Sequence, residues 1–378
     1  MIKMNEKSLI AQFINHHPND WKELLESKNI KIKFALNDYR AIFNYGIDCD
    51  FSDPIVQEAR GIIINIDTLE VVCWPFRKFG NHNESYVDDI DWDSARVQEK
   101  VDGSIVKLYW FNNEWIWATN GIMDAHNADV QGFNKTFYDL IVSAKNYKDI
   151  PFNELNHDYT YIFELVSPYN RIVVKYPEIK LYHTGTRNNI TGEEYNIDIH
   201  IQKPKEYKIS TFDNAIKAAT ALNSDPSQVN AEGFVVVDKN WHRIKIKSPE
   251  YLAAHHDWNN GSYLLSKEVA VQLALDNSWD RIDIHNHAYA AQIRFYQYQI
   301  ETLEWELDNF LIHVRALYEE YSRERKPVAQ AIKNHRLAYF GFKALGNQFD
   351  ASDFIEHDCP LSRIVKLLPN YQLPEFFK

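Results

Sequence analysis

Cysteine, glycine and proline are all scarce in this sequence. The three cysteines, Cys49, Cys73 and Cys359, are widely spaced and form no Cys-x-x-Cys pair, which excludes a disulfide framework and a cysteine zinc site and is typical of a reducing cytosol. The 12 glycines and 13 prolines in 378 residues argue against long disordered linkers. No apolar run approaches the ~20 residues of a membrane span. Because the first residues also lack the apolar core of a signal peptide, the sequence predicts a soluble, cytoplasmic protein with no membrane partner.

The chain also lacks net positive charge. Its formal net charge is −12, which argues against a protein that coats nucleic acid non-specifically. A nucleic-acid enzyme with its cations concentrated in one groove is compatible with this charge. Apolar residues make up 45% of the chain, which is enough for well-packed cores, and its length predicts two domains.

Two kinds of pattern divide the sequence near residue 250. Before it, short runs rich in Val, Ile, Tyr and Phe predict strands of an antiparallel or mixed assembly: residues 61–66, 71–74, 105–110, 115–118, 159–166, 172–174, 179–183, 233–237 and 243–246. Helices are predicted near residues 5–28, 131–145 and 211–222. After it, apolar positions from Tyr296 to Tyr321 recur at steps of four and three, which predicts one long helix with a buried stripe. We expect residues 1–250 and 251–378 to form separate domains, the second all-helical.

The most informative motif is Lys100-Val-Asp-Gly-Ser, which places a lysine just before a turn between two predicted strands. In a Lys-x-Asp-Gly string the lysine amine can act as a covalent nucleophile toward a nucleotide phosphate. A match of four residues is weak by itself, because short motifs often match by chance.

Four further charged motifs surround this lysine in a fixed order. They are Glu58-Ala-Arg60-Gly before an apolar run, Glu164 within an apolar strand, Glu232-Gly before another strand, and Lys245-Ile-Lys247, whose lysines alternate to one face. Each of them alone is more often an ordinary solvated position. Their order and their common place on strands or strand ends favour one shared site.

In this order the motifs resemble the covalent nucleotidyltransferases: ATP-dependent DNA ligases, RNA ligases and mRNA capping enzymes. The similarity is greatest to the bacteriophage RNA ligase 1 family, which repairs broken tRNA anticodon loops, and it covers residues 40–255. The Pro-Tyr-Asn-Arg-Ile-Val string at residues 168–173 is shared with that family and absent from other ligase branches. The resemblance implies an α+β nucleotidyltransferase (ATP-grasp-like ligase adenylation) domain of antiparallel sheets with flanking helices. The helical domain that follows would be an RNA-specificity module.

The resemblance implies ATP-dependent joining of RNA 5′-phosphate and 3′-hydroxyl ends through a lysyl-AMP and an RNA-adenylate. Lys100 is the expected nucleophile and carries AMP, while Lys245 and Lys247 are expected to lower its pKa and to neutralise the α-phosphate. The other expected site residues bind nucleotide or metal: Arg60 and Lys78 at the distal phosphates with Tyr45 close by, Gly103 where the backbone approaches the nucleotide, Glu164 at the ribose, nucleophile or metal, and Glu232 at the metal.

The expected cofactors are ATP and Mg²⁺, with Mn²⁺ as a substitute, because Mg²⁺ bridges phosphate oxygens. The expected partner is RNA with 5′-phosphate and 3′-hydroxyl ends, including nicked tRNA. The chain is expected to be a monomer in the cytoplasm, or in the host cytoplasm if it is viral.

Two positions depart from the family pattern. Asn120 stands where the phage family has a lysine, and Gly80 stands where an aromatic residue often occurs. The first change removes a cation from the expected phosphate pocket and could transfer its role to Arg187 or Lys107. Two alternatives stay open: a degenerate, nucleotide-dependent RNA-binding protein, which Asn120 favours, and a DNA ligase or capping-type enzyme. The latter would need a β-barrel where the helical pattern occurs.

Two other clusters carry weaker signals. His255-His-Asp and His285-Asn-His suggest a metal site, but neither has a Cys or Glu at a matching ligand spacing. A basic stretch with two aromatic residues is compatible with an RNA-contact surface and equally with a solvated face: Arg323, Arg325, Lys326, Lys333, Arg336, Tyr339, Phe340 and Lys343.

Overall fold

The structure is a computed structural model that describes residues 7–35, 38–46, 49–130, 133–170, 172–223, 231–249, 251, 265, 267–276, 287–345, 355 and 359–372. The chain divides into two compact units, Met1–Ser262 and Tyr263–Lys378. The boundary expected near residue 250 precedes this division.

The described part of the first unit contains thirteen strands and five α-helices. The strands are β1 (Ile30–Phe34), β2 (Arg40–Tyr45), β3 (Arg60–Asn65), β4 (Val71–Cys73), β5 (Arg96–Lys100), β6 (Ser104–Phe111), β7 (Glu114–Thr119), β8 (Tyr159–Val166), β9 (Lys180–Asn188), β10 (Glu194–Tyr195), β11 (Glu206–Tyr207), β12 (Gly233–Val237) and β13 (Arg243–Lys247). The helices are α1 (Leu9–His16), α2 (Trp21–Ser27), α3 (Pro54–Glu58), α4 (Phe137–Val142) and α5 (Phe212–Thr220). Short 3-10 turns lie at Ala125–Asn127 and Tyr147–Asp149.

These strands form three sheets, and neighbouring strands within each sheet are antiparallel. The orders are β1-β2-β3-β4, β10-β9-β8-β6-β7 and β11-β5-β12-β13. The mixed α and β content and the antiparallel pairing confirm the coarse part of the prediction, a mixed fold of antiparallel sheets with helices, for the described part of this unit. No helix among the described residues is long and apolar enough to cross a membrane.

The five-stranded sheet is covered on both faces. On one face, Val106 and Leu108 of β6 join a core with α4 and the segment that precedes it. On the other face, Tyr109 packs against Ile42 and Ile63 of the first sheet. Because side chains alternate along a strand, the odd-numbered positions of β6 point towards the first sheet.

The third sheet also has two different faces. Its apolar face, with Val97, Phe234 and Ile246, packs on Ala215 and Ala219 of α5. The opposite face carries the alternate residues of β5 and β13, among them Lys100 and Lys247. Alternation on a half-covered sheet therefore gathers the charged residues of these strands on one side.

The second unit contains, within its described residues, the helices α6 (Lys267–Asp276), α7 (His287–Glu320), α8 (Arg325–Ile332), α9 (Ala338–Ala344) and α10 (Leu361–Leu367). The predicted stripe of α7 is buried at Tyr296, Ile300, Leu303, Leu307, Phe310 and Val314. It ends there, since Tyr321 lies beyond the helix and is 40% exposed.

Three predicted elements need correction. Residues 172–174 are not a strand, because the N–H groups of Val173 and Val174 donate to a side chain instead of to a neighbouring strand. The N-terminal helix is divided into α1 and α2, with Pro18 between them, since proline cannot continue a helix. Of the helix expected at 131–145, only α4 is regular α-helix among the described residues.

Candidate active site

Lys100 is the last residue of β5, and the third sheet sets its neighbours. Gly233 of β12 pairs with Lys100 on one side and with Lys247 of β13 on the other. Lys245 pairs with Val235 two positions along, so it lies on the same face as Lys247. The sheet register thus brings together three lysines that are far apart in the sequence.

The carboxylate of Glu232 lies between two of these lysines. Lys100 Nζ donates a hydrogen bond to Glu232 Oε2 at 2.7 Å, and Lys247 Nζ lies 3.2 Å from Glu232 Oε1. Glu232 is 4% exposed, whereas the Lys100 side chain is 20% exposed. The nucleophile candidate is therefore held in a largely buried ion pair that solvent can still reach.

The expectation that burial and neighbouring cations lower the pKa of Lys100 is wrong in this structure. Burial does act to lower this pKa, but the carboxylates of Glu232, Glu164 and Asp102 outweigh it, and the net shift is upward. Burial likewise acts to raise the pKa of Glu232, but Lys100 and Lys247 lower it below its ordinary value. Lys100 is therefore an ammonium paired with a carboxylate.

Glu164 lies on β8, opposite Ile105 of β6 and Tyr182 of β9. Burial raises its pKa to about 7, although Lys100 and Arg60 act to lower it. Glu164 therefore holds a proton more readily than an ordinary carboxyl group, and its protonated form can donate a hydrogen bond as well as accept one.

Arg60, Lys78 and Lys245 are buried cations that face aromatic rings. The Arg60 guanidinium lies 5.2 Å from the centre of the Phe79 ring, and Lys245 Nζ lies 4.9 Å from it. Lys78 Nζ lies 5.1 Å from the centre of the Tyr45 ring. The structure thus places Tyr45 beside Lys78, as expected, and Phe79 between two cations that can meet phosphate charge.

The loop that carries Phe79 is attached to β13 through its backbone. Lys245 N donates to Gly80 O at 2.9 Å, and His82 N donates to Lys245 O at 2.9 Å. A Cβ at Gly80 would lie 2.2 Å from Glu84 Oε2. A larger residue at Gly80, which departs from the family pattern, would therefore require the side chains of Glu84, Tyr86 and Val87 to move.

The sequence did not reveal the role of Asp102 in the Lys-x-Asp-Gly motif. This residue is 2% exposed. Its Oδ2 accepts the N–H groups of Val173 and Val174 at 2.9 and 2.7 Å, and its Oδ1 accepts the Tyr251 hydroxyl at 2.8 Å. Asp102 therefore holds residues 173 and 174, and Tyr251 four positions after the end of β13, close to the turn that follows Lys100. Only the motif itself could have pointed to this position.

Two glycines of the motifs are required by close backbone approach. A Cβ at Gly103 would lie 2.4 Å from Leu165 O, and one at Gly233 would lie 2.1 Å from Ile246 O. Gly233 also has a φ of +149°, which L side chains rarely adopt. Both glycines let strands approach each other beside Lys100. That is a structural reason for Gly103 in addition to the expected nucleotide contact.

The two cations considered as replacements for the lysine missing at position 120 differ in their surroundings. The guanidinium of Arg187 donates hydrogen bonds to two backbone carbonyl oxygens, Gly192 O and Pro75 O, at 2.8 Å each. Lys107 has no exposed surface, and its Nζ donates to Gly61 O at 2.5 Å. Burial lowers the pKa of Lys107 to about 8, and Arg60 adds to this effect while Cys73 opposes it.

The acidic side chains of the site fit a magnesium ion that binds together with a nucleotide. Glu232 and Glu164 offer carboxylate oxygens, which Mg²⁺ prefers, and this ion usually takes one or two carboxylates plus substrate phosphates and water. In the described part of the chain, no group of three or more His, Cys, Asp or Glu side chains could enclose a metal by itself. His255-His-Asp, and His285 with Asn286, lie outside the described residues.

The basic stretch of the second unit is partly internal to the fold. Phe340 is 1% exposed, and Arg323 and Arg336 form ion pairs with Glu319 and Glu306. Its assignment as an RNA-contact surface stays a prediction.

The candidate active site therefore consists of Lys100 in its ion pair, two acidic residues beside it, and the buried cations Arg60, Lys78 and Lys245. The sequence profile of the RNA ligase family, of the T4 type 1 class, matches residues 58–251, about half of the chain. These residues include Lys100 and the four motifs around it. The chain belongs to this RNA ligase family.

Individual proteins are also similar to this chain. The chain is 33% identical over 283 residues to a protein of Autographa californica nuclear polyhedrosis virus named "Putative bifunctional polynucleotide kinase/RNA ligase", covering 68% of this chain but only 39% of that relative. It is 26% identical to an RNA ligase of Rhodothermus phage RM378, covering 74% of this chain and 78% of the relative. A solved archaeal ATP-dependent RNA ligase is similar at 12% identity, with a TM-score of 0.46, covering 78% of this chain and 82% of that one.

Proposed function

We propose that this chain is an ATP-dependent RNA ligase that joins 5′-phosphate and 3′-hydroxyl RNA ends. The observation that carries the proposal is the Lys100–Glu232–Lys247 cluster, at the end of β5, in a member of the RNA ligase family. Buried Arg60, Lys78 and Lys245 supply further positive charge for a triphosphate.

In the first step, Lys100 Nζ attacks the α-phosphorus of ATP. The attacking form is the neutral amine, which arises when the Lys100 ammonium loses a proton to water. A nitrogen–phosphorus bond forms, the bond to the bridging oxygen breaks, pyrophosphate leaves, and the second proton lost from Nζ also passes to water. Lys245 and Lys247 stabilise the charge on the α-phosphate, while Arg60 and Lys78 hold the distal phosphates. Glu164 accepts a hydrogen bond at the ribose or near the nucleophile, and Gly103 lets the backbone approach the nucleotide.

Glu232 and Glu164 would hold the divalent ion, Mg²⁺ or in its place Mn²⁺. When bound, the ion would neutralise phosphate charge and compete with Lys100 for the carboxylate of Glu232. Because Glu232 is the carboxylate that raises the pKa of Lys100 most, this exchange favours the neutral amine that the reaction needs.

AMP then passes from Lys100 to the 5′-phosphate of one RNA end. The 3′-hydroxyl of the other end displaces AMP and forms the phosphodiester. We further propose that the helical second unit is an all-helical RNA-specificity module, that nicked tRNA is among the substrates, and that the protein acts as a monomer in the cytoplasm, or in that of a host.

Ligation of a defined RNA tests the proposed function. We expect a 5′-³²P-labelled RNA with a 3′-hydroxyl to become resistant to phosphatase when it is incubated with the protein, ATP and Mg²⁺, and to run on a denaturing gel as a circle or a longer strand, which distinguishes sealed RNA from the RNA-adenylate. Omission of either ATP or Mg²⁺ should leave the label sensitive. A label that stays sensitive throughout, with RNA bound in a gel-shift assay, would favour the nucleotide-dependent RNA-binding alternative. A DNA substrate in parallel distinguishes a DNA ligase.

A further inference from the structure

Lys107 is a lysine buried between two sheets. It has no exposed surface, and on β6 its sheet partners are the apolar residues Ala118 of β7 and Ile162 of β8. Its Nζ donates to Gly61 O at 2.5 Å and, among the described residues, forms no ion pair with a carboxylate. A buried ammonium without a counter-ion is strongly disfavoured. The Gly61 carbonyl is therefore the described contact that compensates the charge of Lys107.

Asn120, the residue after β7, lies against the same glycine, Gly61, as Lys107. A Cβ at Gly61 would lie 2.7 Å from Lys107 Nζ, 3.1 Å from Asn120 Oδ1 and 2.4 Å from Asn120 O. Asn120 follows the end of β7, the strand that pairs with β6. Its buried Oδ1 has no hydrogen-bond partner among the described residues. Side chains at 107 and 120 thus converge on Gly61, where one lysine can be accommodated beside a neutral amide.

The point of convergence is directly connected to Arg60. Gly61 follows Arg60 in β3 and has a φ of +78°, so the backbone turns there in a way that favours glycine. The hydrogen bond from Lys107 holds the carbonyl of this turn. Lys107 and Arg60 are close enough for the charge of one to influence the pKa of the other, and Arg60 similarly influences Glu164.

We propose that Lys107 is a positioning residue for the phosphates of ATP, and that it supplies from β6 the positive charge that Asn120 does not supply. It acts through the Gly61 carbonyl, which it holds so that Arg60 faces the distal phosphates. This inference rests on the proposed function, because it assumes that the site binds ATP. Arg187 is not suited to this role, since its guanidinium donates to the backbone of Gly192 and Pro75.

Equilibrium binding of two nucleotides tests the proposal without relying on catalysis. The probes are α,β-methyleneadenosine 5′-triphosphate, which cannot transfer AMP, and AMP, each titrated calorimetrically into the full chain with Mg²⁺. We expect Lys107→Met to weaken the triphosphate about tenfold or more and AMP less than twofold. Lys107→Met/Asn120→Lys should recover most of the triphosphate affinity. Lys217→Met, which removes an exposed lysine on α5, is the matched control and should change neither affinity.

The outcomes separate this inference from the function on which it rests. A wild type that binds neither nucleotide would refute the ATP site itself. A wild type that binds both, with Lys107→Met equal to it, would overturn the role of Lys107 alone. Equal losses for triphosphate and AMP, or no recovery with Asn120→Lys, would also overturn it, because a purely structural lysine would give those results.

The pH dependence provides a second readout. The groups that face Lys107 are Arg60 on β3, Cys73 on β4 and Asn120 after β7. The affinity of the wild type for the triphosphate should fall above about pH 8, where Lys107 loses its proton in the protein without nucleotide. Lys107→Met should not show this fall. The unfolded chain, with a usual lysine pKa of 10.5, binds one proton more than the folded chain between about pH 8 and 10.5. Wild-type stability should therefore rise relative to Lys107→Met across that window. If the difference in unfolding free energy between the wild type and Lys107→Met stays constant across this pH window, the proposal is contradicted.

Discussion

Replacing Lys100 by alanine is expected to reduce ATP-dependent ligation by more than about 10³-fold. The variant removes the only atom that the proposed reaction uses to carry AMP, and two neighbouring lysines already have other contacts. Lys247 is engaged by Glu232 across the sheet, and Lys245 faces Phe79. The measurement is the yield of sealed RNA from a 5′-phosphate substrate with ATP and Mg²⁺.

The same variant should still seal RNA whose 5′ end already carries AMP, within about tenfold of the wild type, because that step needs no amine nucleophile. Lys217→Ala, which removes a distant exposed lysine, serves as the control and should behave like the wild type in both assays. Wild-type ligation by Lys100→Ala with ATP would contradict the assignment of the nucleophile. Loss of both activities in a folded variant would contradict a role limited to carrying AMP.

Replacing Glu232 by glutamine is expected to reduce formation of the lysyl-AMP by about 10²–10³-fold. Glutamine keeps the size of the side chain but removes the charge that would hold the divalent ion and that pairs with Lys100 and Lys247. We also expect the pH profile of kcat/KM for ATP to move to lower pH, because Glu232 is the strongest of the carboxylates that raise the pKa of Lys100. The profile reports the free enzyme, so it can be compared directly with this pKa.

The matched control is Glu206→Gln, which removes a carboxylate on β11, the edge strand of the same sheet. Glu206 pairs with Gln98 on β11 and β5 and is half exposed, so its replacement should leave both rate and profile nearly unchanged. If Glu232→Gln lowers the rate without moving the profile, Glu232 does not govern the protonation of Lys100. An unchanged rate of lysyl-AMP formation would contradict a role for Glu232 in the reaction.

Much of the first unit could be predicted from local sequence. The bounds of β8 and β12 agree with the predicted strands at both ends, because β-branched and aromatic runs bounded by turn residues determine them. Only the Lys-x-Asp-Gly motif predicts a strand before Lys100; the apolar runs do not include β5, since Arg-Val-Gln-Glu-Lys buries only Val97 fully and shows little alternation. The strand that carries the nucleophile is therefore defined by pairing with β11 and β12 and not by its own composition.

The sequence predicts which residues form the site better than it predicts their chemical state. The motifs indicated Lys100, Glu232 and Lys247, but the direction of the pKa shift of Lys100 depends on which charges the sheet register brings closest. The burial of Lys107 depends on coverage of both faces of β6, which the sequence of one strand cannot show. Likewise, Val173 and Val174 have strand-like sequences, yet their N–H groups bind Asp102.

Covalent capture of AMP tests the central claim most directly. The intact mass of the wild-type chain should be measured after incubation with ATP and Mg²⁺, followed by peptide mapping of any adduct, with protein first treated with pyrophosphate to remove AMP that is already bound. We predict a gain of one AMP, located at Lys100 and lost again on addition of pyrophosphate. A folded chain that gains no AMP under these conditions, or gains it at a different residue, would contradict the account.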